Sequence, residues 1–131
     1  MVKGIVVDTS ILIDHLRLTA KNSQVTTPYK VLQKQYGKVY IAEIVIAELF
    51  VGQSSREKAE RNRVVRLIGE LTKIKFNQSM YQKAGEIARD NQRLDLIDAL
   101  IATAAIHKKL PLATFNKKHF ENIRGLKLFD L

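Results

Sequence analysis

Short apolar runs closed by polar or turn residues alternate along this chain with longer stretches whose apolar positions recur at helical spacing. Lys3 to Asp8 predicts a buried strand, and Asp8, Thr9 and Ser10 offer caps for a helix over Ile11 to Leu18. Thr19 to Thr27 is polar and reads as a loop. Pro28 can open a short helix through Gln35, closed at Gly37, and Val39 to Ala42 reads as a second strand.

Glu43 to Phe50 suits a buried helix that ends around Gly52, Ser54 and Ser55. Arg56 to Leu71 predicts a charged amphipathic helix with Val64, Val65, Leu67, Ile68 and Leu71 on its apolar side. Ile74 to Phe76 is expected to be a brief strand, and Asn77, Gln78 and Ser79 introduce a helix through Asn91. Asp95 begins a strongly apolar helix reaching His107 or Lys108. Pro111 to Thr114 then predicts a strand, Lys117 to Glu121 a helical turn, and Lys127 to Phe129 a terminal strand.

This alternation predicts an α/β fold: a parallel sheet of four to five short strands with helices on both faces, as one domain over residues 1–131. Ligands of such sheets gather at the carboxyl ends of the strands. Asp8 ends the first strand, and Asn116 follows the strand at Leu112 to Thr114. Internal repeats and low-complexity segments are absent from the sequence.

With 131 residues and 46% hydrophobic content, the chain can fill one core. Its 22 Lys and Arg against 13 Asp and Glu give a net charge of +9. That balance calls for an anionic partner, nucleic acid first, although charge alone also admits a membrane surface or an acidic protein. The chain has no cysteine, which excludes disulfides, thiolate metal sites and a cysteine nucleophile. No apolar run nears the roughly 18 residues of a membrane span, so a soluble cytoplasmic protein is expected.

Asp8, Glu48 and Asp98 each interrupt an apolar stretch that contains no Lys or Arg. A buried carboxylate is costly unless it is neutralised or protonated. Convergence of the three on one hard cation, magnesium or manganese, is the simplest common explanation. Each also has a plainer one. Asp8 and Ser10 can cap the first helix, Asp95 and Asp98 can be the N-cap and N3 acid of a later one, and Glu48 can be a partly exposed helical residue. Glu43, five positions before Glu48, points to a different side of their helix.

His15, His107 and His119 are scattered and form no pair suited to metal-free acid–base catalysis. His15 and His107 read as surface or helix-end residues, and His119 as structural or in contact with phosphate. Positive charge concentrates in Lys21 to Lys38, Arg56 to Arg66 and Lys108 to Lys118. The middle segment reads as a solvated helix face, whereas Lys117 and Lys118 directly follow Asn116 and are expected to flank the cleft.

Val7-Asp8-Thr9-Ser10-Ile11-Leu12-Ile13-Asp14, Ala47-Glu48-Leu49 with Gly52, Asp98-Ala99-Leu100-Ile101-Ala102-Thr103-Ala104 and Leu112-Ala113-Thr114-Phe115-Asn116-Lys117-Lys118-His119-Phe120 follow one another in that order. In this arrangement the chain resembles the PIN-domain ribonucleases, and within them the toxins of VapBC-type toxin–antitoxin pairs. The resemblance spans essentially the whole chain. It implies a Mg2+- or Mn2+-dependent endoribonuclease that inhibits translation, with Asp8, Glu48 and Asp98 as the catalytic metal-binding acids. Thr9, Ser10 and Thr114 would orient them, and Lys117, Lys118 and His119 would contact RNA.

The family often has a fourth acid where this chain has Asn116, and many of its toxins have Asp where this chain has His119. Asn116 offers only a carbonyl oxygen, so a second ion should bind more weakly, and Asp95 is a further candidate ligand. A catalytically weakened module that binds RNA or a partner is therefore the alternative. The resemblance also implies an antitoxin partner and a homodimer, for which the helices at Arg56 to Leu71 and Asn77 to Asn91 could supply a face, unless their stripes serve the core. Dehalogenase-like phosphotransfer would require a second Asp where Ser10 stands.

Overall fold

The computed structural model describes residues 3–52 and 56–131. Ser54 and Ser55, expected near the end of the third helix, lie outside the described residues. The elements run β1 (Ile5–Val7), α1 (Thr9–Lys21), α2 (Pro28–Tyr36), β2 (Val39–Ala42), α3 (Ile44–Val51), α4 (Lys58–Glu70), β3 (Thr72–Ile74), α5 (Gln78–Asp90), α6 (Leu96–Lys108), β4 (Leu112–Ala113) and α7 (Lys117–Phe120).

The strands form one parallel sheet in the order β3-β2-β1-β4. Ile5, Val6 and Val7 of β1 are fully enclosed, which a parallel strand achieves only when helices cover both faces. The expected terminal strand is reduced to a single parallel bridge between Leu128 and Leu112. It is held by Leu112 N–H to Lys127 O at 2.9 Å and Phe129 N–H to Leu112 O at 2.7 Å.

Several helix ends follow their local chemistry. Thr27 caps α2 by accepting Lys30 N–H at 3.2 Å, Pro28 occupies the first turn, and Gly37 takes φ +75° after the last. Asn77 likewise caps α5, accepting Met80 N–H at 3.0 Å.

Other boundaries differ from the expectation. Helix α1 continues past Leu18 to Lys21, because the Arg63 guanidinium of α4 donates to Leu16 O at 3.0 Å and to Thr19 Oγ1 at 2.5 Å. Tertiary bonds thus hold a turn that its polar sequence leaves to a loop. Strand β3 covers Thr72–Ile74, not Ile74 to Phe76. Its register pairs Tyr40 with Thr72 and Ala42 with Ile74, and Lys73 fits because its ammonium donates to Ile68 O at 2.6 Å and Leu71 O at 3.0 Å.

Phe76 lies beyond that strand, with its ring 5.3 Å from that of Tyr81. Helix α4 starts at Lys58, and Val65 is solvent-exposed although Val64 and Leu67 on either side are buried. Among the described residues no helix is long and apolar enough to cross a membrane.

Candidate active site

Asp8 is the first residue past β1, where the extended backbone (φ −91°, ψ 178°) turns into α1. Its Oδ1 accepts Ser10 N–H at 3.1 Å and the Ser10 hydroxyl at 2.5 Å, while Oδ2 accepts the Thr114 hydroxyl. Only 3% of the residue is exposed. Burial holds its carboxyl above the usual carboxylate pKa, and the hydrogen bonds from Ser10 and Thr114 only partly offset it. Asp8 is therefore both a helix cap and a buried acid that forms no salt bridge among the described residues.

The second acid comes from α6. Asp95 caps this helix, accepting Asp98 N–H at 2.8 Å, so the plain reading of that pair also holds. Asp98 itself is pushed up to about 6, first by burial and then by the negative charges of Asp95 and Asp8. His119 works the other way, with its Nδ1 3.6 Å from Asp98 Oδ2. Residues from β1 and α6 thus meet at the carboxyl end of the sheet.

Glu48 is half-buried on α3, and its Oε1 accepts the hydroxyl of Thr9, the neighbour of Asp8. Glu43 at the start of the same helix is exposed and borders an apolar hollow with Ile46, Phe76 and Tyr81. The two glutamates face different sides, as helical spacing requires.

The loop after β4 closes the other wall. Phe115 N–H reaches Ser10 Oγ at 3.3 Å and Asn116 N–H reaches Thr114 Oγ1 at 2.9 Å, so the loop is laced to the hydroxyls that hold Asp8. Thr114, Phe115, Asn116, Lys117, Lys118 and His119 border a cleft of about 510 Å³. Asn116, Lys118 and His119 are exposed there, while the Lys117 ammonium pairs with Asp130 at 2.6 Å.

His15 and His107 stand apart. His15 lies in the body of the fold, its Nδ1 2.8 Å from Thr27 Oγ1 and its ring 4.8 Å from Tyr29. Burial and the nearby Lys30 lower its pKa. His107 is exposed at the far end of α6.

Among the described residues no three His, Asp or Glu side chains are grouped closely enough to hold a metal ion. Asp8 and Asp98 come within electrostatic reach of each other, and Glu48 is tied to them through Thr9. The donor set nonetheless suits a hard cation. It is all oxygen, and the repulsion that raises Asp98 is what a bound divalent ion relieves.

The contact of Asp98 with His119 and the ion pair of Lys117 with Asp130 follow no local pattern of the sequence. Only the three-residue step from Asn116 to His119 around a helical turn hints at the first.

The PIN domain model matches residues 5–126. Ribonuclease VapC10 of Mycobacterium tuberculosis is 32% identical over 129 residues, covering 94% of this chain and 90% of that protein. Ribonuclease VapC1 of Methanocaldococcus jannaschii is 31% identical over 133 residues, covering 96% and 87%. Among solved structures, VapBC2 of Rickettsia felis bound to a DNA fragment from its promoter gives a TM-score of 0.77 at 24% identity, covering 98% of each chain. The DNA-bound VapBC of Salmonella typhimurium gives 0.73 at 23% identity, covering 99% of this chain and 98% of that one.

Proposed function

This chain belongs to the PIN-domain family, and from that premise we propose that it is a divalent-metal-dependent endoribonuclease, the translation-inhibiting toxin of a toxin–antitoxin pair. The observation that carries the reading is the pairing of buried Asp8 with half-buried Asp98 at the mouth of the sheet in a chain of net charge +9. Relatives named as VapC ribonucleases and neighbours named as VapBC complexes support it. The same names support a VapB-type antitoxin as partner, and we propose a homodimer acting in the cytoplasm.

Asp8 and Asp98 would hold the ion, Mg2+ or Mn2+, joined by Glu48 once its side chain turns from Thr9 toward them, with Asp95 and Asn116 as further oxygen donors. When bound, such an ion supplies Lewis acidity that lowers the pKa of an attacking water and positive charge opposite the scissile phosphate. The chain's own residues do the rest. Thr114 and Ser10 fix both oxygens of Asp8, and Thr9 keeps Glu48 close by. Lys118, with Lys117 and His119 beside it, offers the cleft cationic and hydrogen-bonding groups for the phosphates of single-stranded or looped RNA.

Incubating the protein with total RNA and manganese, mapping the new ends, and repeating with Asp98→Asn and with chelator tests the reading. Cleavage that needs both Asp98 and the ion supports it. Full cleavage by a folded Asp98→Asn protein overturns the site assignment. RNA binding without cutting over a range of divalent ions supports instead a weakened binding module, the reading that the neutral Asn116 favours.

A further inference from the structure

The amino-terminal edge of the sheet, opposite the acidic mouth, carries its own concentration of charge around one aromatic ring. Tyr40 of β2 is half-exposed, with the Lys38 ammonium 5.9 Å and the Lys108 ammonium 5.6 Å from its ring centre. Gly4 lies against the ring, where a Cβ would come within 2.5 Å of Tyr40 Cε1. The missing side chain lets the ring settle on the backbone just ahead of β1, which sets its place.

The surroundings are one-signed. Lys3 precedes β1, Lys38 precedes β2, and Lys108 and Lys109 end α6, all of them exposed. Residues 3–7, 36–42 and 105–112 contain no Asp or Glu. Among the described residues none of these four lysines pairs with a carboxylate. Lys109 moreover sits in the left-handed region (φ 57°) as the cap of α6, a conformation that favours glycine by about 1 kcal/mol. A positive side chain is thus present where backbone preference argues against it.

We propose that this edge is a second RNA-contact surface, in which Lys38 and Lys108, backed by Lys3 and Lys109, bind phosphates and Tyr40 is the platform for a base or ribose. Positive side chains beside an aromatic ring are the combination that holds nucleic acid without reading its sequence. Helix α6 relates the two surfaces: Asp98 in its first turn and Lys108 at its end are about 15 Å apart along its axis, at 1.5 Å per residue. A duplex strand presents a phosphate about every 3.4 Å, so a stem or hairpin reaches both ends of the helix. A trinucleotide in the cleft does not engage the second surface in this scheme. The substrate class implied is structured RNA, and the identity of that anion rests on the ribonuclease reading.

Binding of a labelled RNA hairpin and of a labelled trinucleotide, followed by fluorescence anisotropy in chelator with no cleavage, tests the proposal. The Lys38→Gln/Lys108→Gln protein, verified to melt like the parent, is expected to bind the hairpin roughly 10-fold more weakly. Its log–log salt dependence is expected to be shallower by about 1.8, or 0.9 for each duplex phosphate no longer neutralised. Trinucleotide binding is expected to be unchanged, and Tyr40→Leu to weaken hairpin binding without changing the salt slope. An unaltered hairpin affinity and slope in the double variant overturns the proposal, as does loss of anionic-vesicle binding with RNA binding intact. Failure to cleave RNA bears on the enzymatic reading alone, because these measurements need no turnover.

Discussion

Thr114 donates a buried hydrogen bond to Asp8 across 106 positions of sequence, joining the end of β4 to the end of β1. Among the described residues it is the one fully buried hydroxyl on that carboxylate, and it also accepts Asn116 N–H. Thr114→Val is expected to lower divalent-ion affinity and RNA cleavage about 10- to 100-fold. The unsatisfied oxygen should cost about 1–3 kcal/mol of stability. Thr114→Ser, which keeps the donor, should recover most of both. Ion titration and urea unfolding of the two variants check this, and equal behaviour of Val and Ser would show that the hydroxyl is idle.

Asp98→Asn separates stability from activity. It removes a charge that Asp95 and Asp8 both repel, so the metal-free protein should melt roughly 3–5 °C higher, as a gain near 1 kcal/mol implies. Cleavage should be lost in the same protein. Scanning calorimetry in chelator, set beside a cleavage assay, measures the two opposite signs.

The raised pKa of Asp98 also fixes a pH dependence. Its carboxyl takes up a proton more readily in the folded chain, near pH 6, than in the unfolded chain near 3.8. The contribution is therefore fully present below about pH 4 and is lost as pH rises through 6. Partial solvent exposure moderates its size. Melting curves from pH 4 to 8 in chelator should show this loss, and Asp98→Asn should flatten it. Added Mn2+ should stabilise above pH 6 and progressively less below, as protons compete for the same oxygens.

Gly4→Ala tests the seat of Tyr40. The added methyl would lie 2.5 Å from the ring and 3.3 Å from Lys38 O, and the latter is backbone that cannot swing aside. A cost of roughly 1–2 kcal/mol is expected, read as a melting point about 3–8 °C lower. An unchanged melting point would mean that the ring moves freely.

The sequence announced β1, α6 and their acids because both segments are apolar enough to be recognised without knowledge of their neighbours. Asp8 and Asp95 also proved to be ordinary helix caps, so local chemistry and site chemistry coincide in the same side chains. What escaped was set by distant partners. The last turn of α1 depends on Arg63, and β3 sits two residues earlier than its hydrophobicity suggests because β2 dictates the register. Likewise the pairing of His119 with Asp98 needs α7 folded against α6, which no local pattern encodes.

The strand order places β1, the earliest to be synthesised, between β2 and the very late β4. During vectorial synthesis one flank of β1 stays bare until residues 112–113 emerge, and the hydroxyl that steadies Asp8 arrives with the residue after them. A nascent or truncated chain ending before that point lacks both the second flank of β1 and the hydrogen bond from Thr114 to Asp8. Until then Asp8 keeps only the hydrogen bonds from Ser10 that its own helix supplies.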